Sequence, residues 1–306
     1  MKSCMTSDRN IRPAVLALIL VCQGSLIAGQ DYQWWNRKHR WDGTTPWNQY
    51  LIPSPAYMGP NALPVPEVRN GGLPLEGFFE LGLDGHFSNG DRTGNGYTRL
   101  FVPLFSPRVG LSVSFIPLEV YRTDTMTRDL RRSREYDGMG TSLGDVYFST
   151  LIHLVRERGA LPDILLGVNL KTASGTNFHA ARHTDSPGYY FDLSAGKSFT
   201  PEGGILTSLR AYAMVGFYVY QTSLVNYMQN DAFLYGAGVD LIFSTLKLEQ
   251  QLGGYTGYLD IGDSPLVYRL CFHWDAGPKA GFRLRFQHGF IDFPYTSLRI
   301  STLIKL

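Results

Sequence analysis

From residue 77 to the last residue, apolar and polar side chains alternate one by one. Leu209, Ala211, Ala213, Val215, Phe217 and Val219 take every second position, with Arg210, Tyr212, Met214, Gly216, Tyr218 and Tyr220 between them. Successive side chains of an extended chain point to opposite faces, so this segment has one apolar face and one mixed face. Phe233, Tyr235, Ala237, Val239, Leu241 and Phe243 oppose Gly236, Gly238 and Asp240 in the same way. Phe282, Leu284 and Phe286 oppose Arg283, Arg285 and Gln287, and Leu298, Ile300, Thr302, Ile304 and Leu306 oppose Arg299, Ser301 and Lys305.

About twelve segments of this kind can be counted. They lie near 77–88, 96–105, 109–121, 143–156, 161–172, 188–199, 204–222, 231–244, 246–255, 264–275, 279–290 and 295–306. Their connections alternate in length: 89–95 is moderate, 106–108 tight, 122–142 long, 157–160 tight, 173–187 long and 200–203 tight. The trend continues through 223–230, 244–245, 256–263 and 276–278, and breaks at 292–294. Short periplasmic turns and longer outer loops mark bacterial barrels. A soluble sandwich would also alternate, but its polar face would meet water; here the charges gather opposite an aromatic and aliphatic face. The expected fold is all-β: a closed antiparallel transmembrane β-barrel over 76–306, with an extended N-terminal arm. Closure is obligatory, because lipid offers no partner to an unpaired strand edge.

The arm, residues 30–75, holds Trp34, Trp35, Trp41 and Trp47 together with Pro46, Pro53, Pro55, Pro60, Pro64 and Pro66. Prolines this frequent exclude helix and central strand. The expectation is a periplasmic arm that packs against the barrel end or enters the lumen; a plain linker fits the prolines equally, though four tryptophans suggest docking. Residues 1–29 carry Lys2, Arg9 and Arg12, then an apolar run from Ala14 to Cys22, then Ile27-Ala28-Gly29. This is the order of a secretory signal peptide, and the run is too short to span a bilayer. Cleavage is expected near Gly29. Val21 stands before Cys22 where a lipobox has a small residue, so lipidation is not expected.

Composition narrows the reading. The formal charge is +2, and the signal peptide carries three bases and Asp8, so the mature chain is near neutral (2 − 2 = 0). Nucleic acid as a partner would call for a basic surface. Of Cys4, Cys22 and Cys271, two leave with the signal, so the mature chain cannot form an internal disulfide. The predicted inner face carries Glu80, Asp84, Arg99, Glu119, Asp145, Lys171, Asp192, Arg210, Asp240, Glu249, Arg269, Arg283, Arg285 and Arg299. Such mixed signs either pair across the lumen or line a polar pore. Neither a cofactor nor a metal is expected: His153 and His273 show no partner set, and His179 and His183 read as histidines of a surface loop. Arg122, Arg128, Arg131, Arg132 and Arg134 read as part of a solvated loop, with folding inward as a constriction or contact with lipopolysaccharide phosphates as the alternatives.

Gly144-Asp145-Val146-Tyr147-Phe148, Leu166-Gly167-Val168-Asn169-Leu170-Lys171-Thr172-Ala173-Ser174-Gly175 and Phe191-Asp192-Leu193-Ser194-Ala195-Gly196-Lys197 resemble the outer-membrane barrels grouped as channels of phenol meta-pathway gene clusters. The arm, with Pro60-Asn61-Ala62-Leu63-Pro64-Val65-Pro66, is similar to a version of these barrels seen in Bacteroidetes. The resemblance covers about residues 50–306 and implies a barrel that takes up small hydrophobic molecules. A local motif, His86-Phe87-Ser88-Asn89-Gly90, resembles outer-membrane phospholipase A. That resemblance makes His86 the general base, Ser88 the nucleophile and Asn95 the residue orienting the histidine. Two departures weigh against it. Asn95 lies two rather than three residues before Tyr97, and His86 and Ser88 fall on the lumen face with Glu80 and Asp84.

The leading reading is a passive outer-membrane channel for small, hydrophobic or aromatic solutes, and not an enzyme. The alternatives are a lipid hydrolase using His86 and Ser88, and a structural barrel anchoring a periplasmic partner. The implied location is the bacterial outer membrane. The implied partners are outer-membrane lipids, lipopolysaccharide, a small-molecule solute and the barrel-assembly machinery that inserts such chains.

Overall fold

The computed structural model describes residues 31–104 and 106–306; the signal peptide expected at 1–29 lies outside the described residues. The chain divides into two compact units, 1–40 and 41–306. In the first, a short helix α1 (Gln33–His39) corrects the exclusion of helix from 30–75, because the arm's prolines begin only at Pro46; it ends on Arg40 in the left-handed conformation, and the Trp35 and His39 rings pack 5.2 Å apart.

The second unit contains fourteen strands: β1 (Phe78–Ser88), β2 (Asp91–Pro103), β3 (Val109–Phe115), β4 (Glu119–Thr123), β5 (Met139–Ser142), β6 (Tyr147–Val155), β7 (Asp163–Lys171), β8 (Gly188–Phe199), β9 (Ser208–Leu224), β10 (Tyr227–Ile242), β11 (Leu246–Thr256), β12 (Leu266–Asp275), β13 (Ala280–Ile291) and β14 (Thr296–Lys305). The pairings are antiparallel between neighbours, and β1 pairs with both β2 and β14, which closes the sheet. Strand β2 pairs with β3 through Thr98↔Phe115 and with β4 through Asn95↔Glu119. So β3 and β4 are one wall strand broken at Ile116-Pro117-Leu118, and β5 and β6 are one broken between Ser142 and Tyr147. Counted this way, the wall has the twelve strands expected. Pro117 has no amide proton to give to the ladder, and a break is where a wall strand tolerates it. Isolated bonds carry the wall across the gap, Gly96 N to Leu118 O at 3.0 Å and Gly144 N to Ile116 O at 2.9 Å.

The alternation sorts side chains as a membrane barrel requires. Leu83 and Ile300 are 73% and 62% exposed on the outside, while Glu80, beside them on the inside, is fully buried. Turn lengths differ from the expectation at two hairpins. The first connection is only Asn89-Gly90, with Gly90 at φ 84°, so Asn95 stands on β2 rather than in a loop. Gly90 takes the left-handed conformation at the second central position of the turn, where a residue without Cβ carries no steric cost, and Asn89 precedes it at negative φ. The β9–β10 hairpin is likewise tight, its strands running on to Leu224 and from Tyr227. The long third connection holds helix α2 (Thr125–Leu130), whose first turn is capped by Asp124 Oδ1 accepting from Thr127 N at 2.7 Å.

From Leu51 the arm runs through the barrel, from the long-loop end to the tight-turn end. Near its start, Ala56 N donates to Gly262 O and Gly59 N to Ala181 O, both in long loops. Near its end, Gly71 (φ 82°) lies so close to Gly196 of β8 that a Cβ would come within 2.6 Å of the Gly196 nitrogen. Leu51, Met58, Ala62, Leu63, Val65 and Val68 pack in one buried cluster with Tyr212, Met214, Tyr218, Tyr220, Leu234 and Tyr255 of the wall. A second cluster joins Leu73 to Phe101, Leu151 and Leu165. A proline-rich chain cannot enter the sheet, and its carbonyls need donors once buried. Wall side chains supply them. Arg269 donates to Val65 O (2.5 Å) and Pro66 O (3.0 Å), Arg210 to Asn70 O (2.9 Å), Tyr295 to Met58 O (3.2 Å) and Tyr255 to Leu63 O (3.3 Å). The hydrophobic core of this protein is therefore the arm wrapped by its own barrel.

Leu83→Arg, on the lipid face midway along β1, should cost about 2–4 kcal/mol. Equilibrium unfolding from lipid vesicles measures this; an unchanged midpoint would show that this face does not meet hydrocarbon.

Candidate functional site

The inward charges meet one another and the arm in three tiers. At the long-loop end, Asp91 of β2 receives Arg131 (2.5 Å), Arg182 (2.7 Å) and the Tyr295 hydroxyl (2.8 Å). Glu119 of β4 receives Arg182 (2.8 Å), Asn61 of the arm (2.6 Å) and Ser142 (3.0 Å). Lys171 and Asp145 form a fully buried pair at 2.7 Å. Arg182 and His183 belong to the 173–187 loop and are both fully buried, and Arg131 of the third loop is 3% exposed. These segments therefore fold into the barrel mouth, contrary to the expectation of solvated surface loops. Burial opposes charge on Arg182, but the Glu119 and Asp91 carboxylates outweigh it and raise its pKa. His179 stays at the rim, 3.2 Å from Glu135.

In the middle tier, Asp84 of β1 holds Arg299 of β14 through two bonds of 2.6 and 2.9 Å, and the Arg299 guanidinium lies 3.5 Å from the centre of the Tyr97 ring. On the opposite wall, Asp192 of β8 pairs with Arg69 of the arm, which also donates to Asn169 at 2.7 Å. His86 lies here too. Its Nε2 is 2.9 Å from Asn95 Oδ1 and its Nδ1 is 2.7 Å from Ser297 Oγ. Asn95 donates to Asp84 Oδ2 at 2.9 Å, which turns its amide oxygen toward the imidazole. The structure thus brings His86 and Asn95 together but not Ser88, whose hydroxyl donates to the Asp91 backbone carbonyl at 3.5 Å. With both ring nitrogens engaged elsewhere, His86 is not placed to take the Ser88 proton. All these groups face inward, away from lipid.

At the tight-turn end, Glu80 binds Arg283 (3.2 Å) and Ser301 (2.7 Å). Arg210 binds Asp163 (2.7 Å) and Glu157 (3.0 Å), and His153 lies 2.8 Å from Asp163. Lys247 bridges Asp240 (3.1 Å) and Glu249 (2.5 Å), and Asp240 also accepts from Asn70 of the arm at 3.0 Å. Glu249, Cys271 and His273 hold their ligand atoms within 4.8 Å of one another. His273 is already committed, with Nε2 2.8 Å from Glu249 and Nδ1 accepting from Arg283 at 3.3 Å. Lys247 and Arg283 beside the carboxylate make this an ion-pair network in which a cation would meet two positive charges.

Between arm and wall a cavity of about 380 Å³ remains. Arg99, Arg283, Arg285, Arg299 and Lys247 line it with Glu67, Asp84 and Glu249, and Phe78, Tyr97, Phe115, Tyr147 and Leu165 give it apolar surface. Glu67 of the arm reaches into it, 3.0 Å from Arg285 and 3.7 Å from Arg99. Glu67 and Arg69 escape a reading by alternation because they precede the strands. The signal that points to them is a pair of charges in an otherwise apolar, proline-rich stretch. Arg182 escaped for lack of a local pattern, His183 was read as a surface-loop histidine, and Ser297 shares the inner face of its strand with Arg299 and Ser301.

No family model matches the sequence, and no curated protein matches it. Among solved structures, the fold is similar to the COG4313 outer membrane channel from Pseudomonas putida F1, at a TM-score of 0.57 and 12% identity, over 79% of this chain and 100% of that one. Weaker likeness is found to the KdgM porin in complex with disordered oligogalacturonate (TM-score 0.44, 11% identity, 74% of this chain and 99% of that one). It also extends to the CymD monoaromatic hydrocarbon channel (TM-score 0.40, 9% identity, 82% and 98%). The architecture shared with the first of these is a closed antiparallel outer-membrane β-barrel.

Docking of the 173–187 loop should depend on pH through His183, 3.7 Å from Glu119. Burial lowers its pKa from the ordinary 6.5, against the pull of Glu119. The docked loop therefore holds a neutral imidazole, whereas a released loop takes up a proton as pH falls through about 6.5. Docking is fully favoured above that value and weakens below it. Hydrogen exchange of residues 173–187, corrected for intrinsic rates, should quicken on acidification, and His183→Gln should flatten that response.

Proposed function

We propose that the protein is a passive channel of the bacterial outer membrane for small solutes. The observation that carries this reading is the cavity of about 380 Å³ left between arm and wall, lined with unlike charges and aromatic rings. A barrel serving only as an anchor gains nothing from such space, since a void forfeits packing contacts. A cavity of this size accommodates a small organic molecule. The apolar walls, Phe78, Phe115, Tyr97, Tyr147 and Leu165, suit a solute with an aromatic or aliphatic body, in line with the resemblance to barrels of phenol-degrading clusters. Export by the N-terminal signal, insertion by the barrel-assembly machinery and contact with lipopolysaccharide belong to the same reading. The arm sets the conductance: while it fills the lumen, only a narrow path is left.

A hydrolase using His86, Ser88 and Asn95 has no geometric support, because Ser88 stands apart from the imidazole. Planar-bilayer recording and liposome uptake with the refolded protein test the channel. The intact chain should pass small currents, and a variant lacking residues 51–73 should pass larger ones. A barrel that neither conducts nor admits any solute in either form would overturn the reading.

A further inference from the structure

The charges around the cavity do not balance locally. Along the neighbouring wall strands β2, β11, β12, β13 and β14, six cations (Arg99, Lys247, Arg269, Arg283, Arg285 and Arg299) face five carboxylates: Glu67 of the arm, Glu80 and Asp84 of β1, Asp240 of β10 and Glu249 of β11. Four of those carboxylates belong to the wall and are already bound, Glu80 to Arg283, Asp84 to Arg299, and Asp240 and Glu249 to Lys247. Arg269 spends its donors on Gln287 and two arm carbonyls. Arg99 and Arg285 are left to share a single carboxylate, Glu67 of the arm, and the Arg285 Nε is buried with no hydrogen-bond partner among the described residues.

Glu67 is not sealed in. Its side chain keeps 40% of its surface accessible, and at 3.7 Å its contact with Arg99 is a loose one. A carboxylate on two guanidinium groups, open to a cavity with aromatic walls, has the form of a bound organic anion. Guanidinium forks prefer bidentate carboxylate, and Arg285 has an unused donor that Glu67 leaves unmet.

We propose that this cavity is a binding site for a small organic anion, a carboxylate carried on an aromatic or apolar body, and that Glu67 is the internal competitor that fills the anion position while the site is empty. The solute carboxylate takes the place of Glu67 on Arg285 and Arg99, and its body lies against Phe78 and Tyr97. Displacing Glu67 removes one of the charged links that tie the arm to the wall, so solute binding and loosening of the arm are coupled. This site rests on the channel reading for its biological use, but its binding chemistry stands apart from conduction.

Titration calorimetry on the folded, full mature chain tests it, with benzoate as the anionic probe and benzyl alcohol as the neutral probe of the same shape. Benzoate should bind more tightly than benzyl alcohol, and added salt should weaken only benzoate. Glu67→Gln should tighten benzoate about tenfold, the scale of one charge-assisted competitor removed, and leave benzyl alcohol unchanged. Arg285→Gln should abolish the preference. Heat-modifiable migration on gels confirms that each variant is folded; if Glu67→Gln fails to fold, Arg99→Gln in its place should weaken benzoate alone. Equal affinity for the two probes, no benzoate binding, or no tightening in folded Glu67→Gln would overturn the site. Benzoate binding without any liposome uptake would keep the site and sink the channel, whereas uptake without a benzoate preference would do the reverse.

Discussion

Twelve tilted strands enclose more space than their own inward side chains fill, and the inside of this barrel is built around that surplus. The arm occupies it. Leu51, Leu63, Val65 and Val68 are buried inside a wall whose outer surface faces lipid, so the usual roles of inside and outside are kept only by importing an apolar chain into a charged lumen. Everything else in the interior answers to that choice. Arg269 is buried because arm carbonyls need its donors, and Arg69 is held there by Asp192 on the far wall.

Mixed charge is what makes the import work. A lumen of one sign would repel itself once water is displaced, whereas acids and bases interleaved on neighbouring strands neutralise at contact distance. The tiers differ in how completely they do so. At the long-loop end Asp91 and Glu119 each gather several donors, and the two loops that supply Arg131 and Arg182 are pulled into the mouth. Beside the cavity Arg99 and Arg285 share the one carboxylate of Glu67, and space remains. Strength of closure and room for a solute are thus distributed along the same axis, with the firmer end at the long loops.

Much of this fold was legible along the chain. Period-two alternation identified the wall strands and their faces, because in a membrane barrel each residue faces either lipid or lumen and the cost of the wrong choice is high at every position. Boundaries were less legible where the polypeptide has options. Residues 89–95 look like a loop by composition, yet Gly94 and Asn95 continue β2 because Asn89-Gly90 already makes the turn. The segment at 109–121 reads as one strand, and only the pairing of β2 with two successive partners shows that it is broken around Pro117 and that the wall continues past it.

The candidate site was legible in its members and not in its partnerships. Alternation places Arg285 and Arg99 on the inner face, and nothing local can say that Glu67, many residues away and outside any strand, lies between them. The same holds for His86, whose near neighbour Ser88 imitates a nucleophile while its hydroxyl partner is Ser297 on the closing strand. The sequence by itself determined the alternating wall, the turns and the supply of buried charge, because these follow from periodicity and from the solvent on each face. Which charges meet, where the proline-rich arm runs and how much space it leaves were decided only by closure of the sheet, since closure brings distant strands around a common axis and makes neighbours of residues that no local spacing relates.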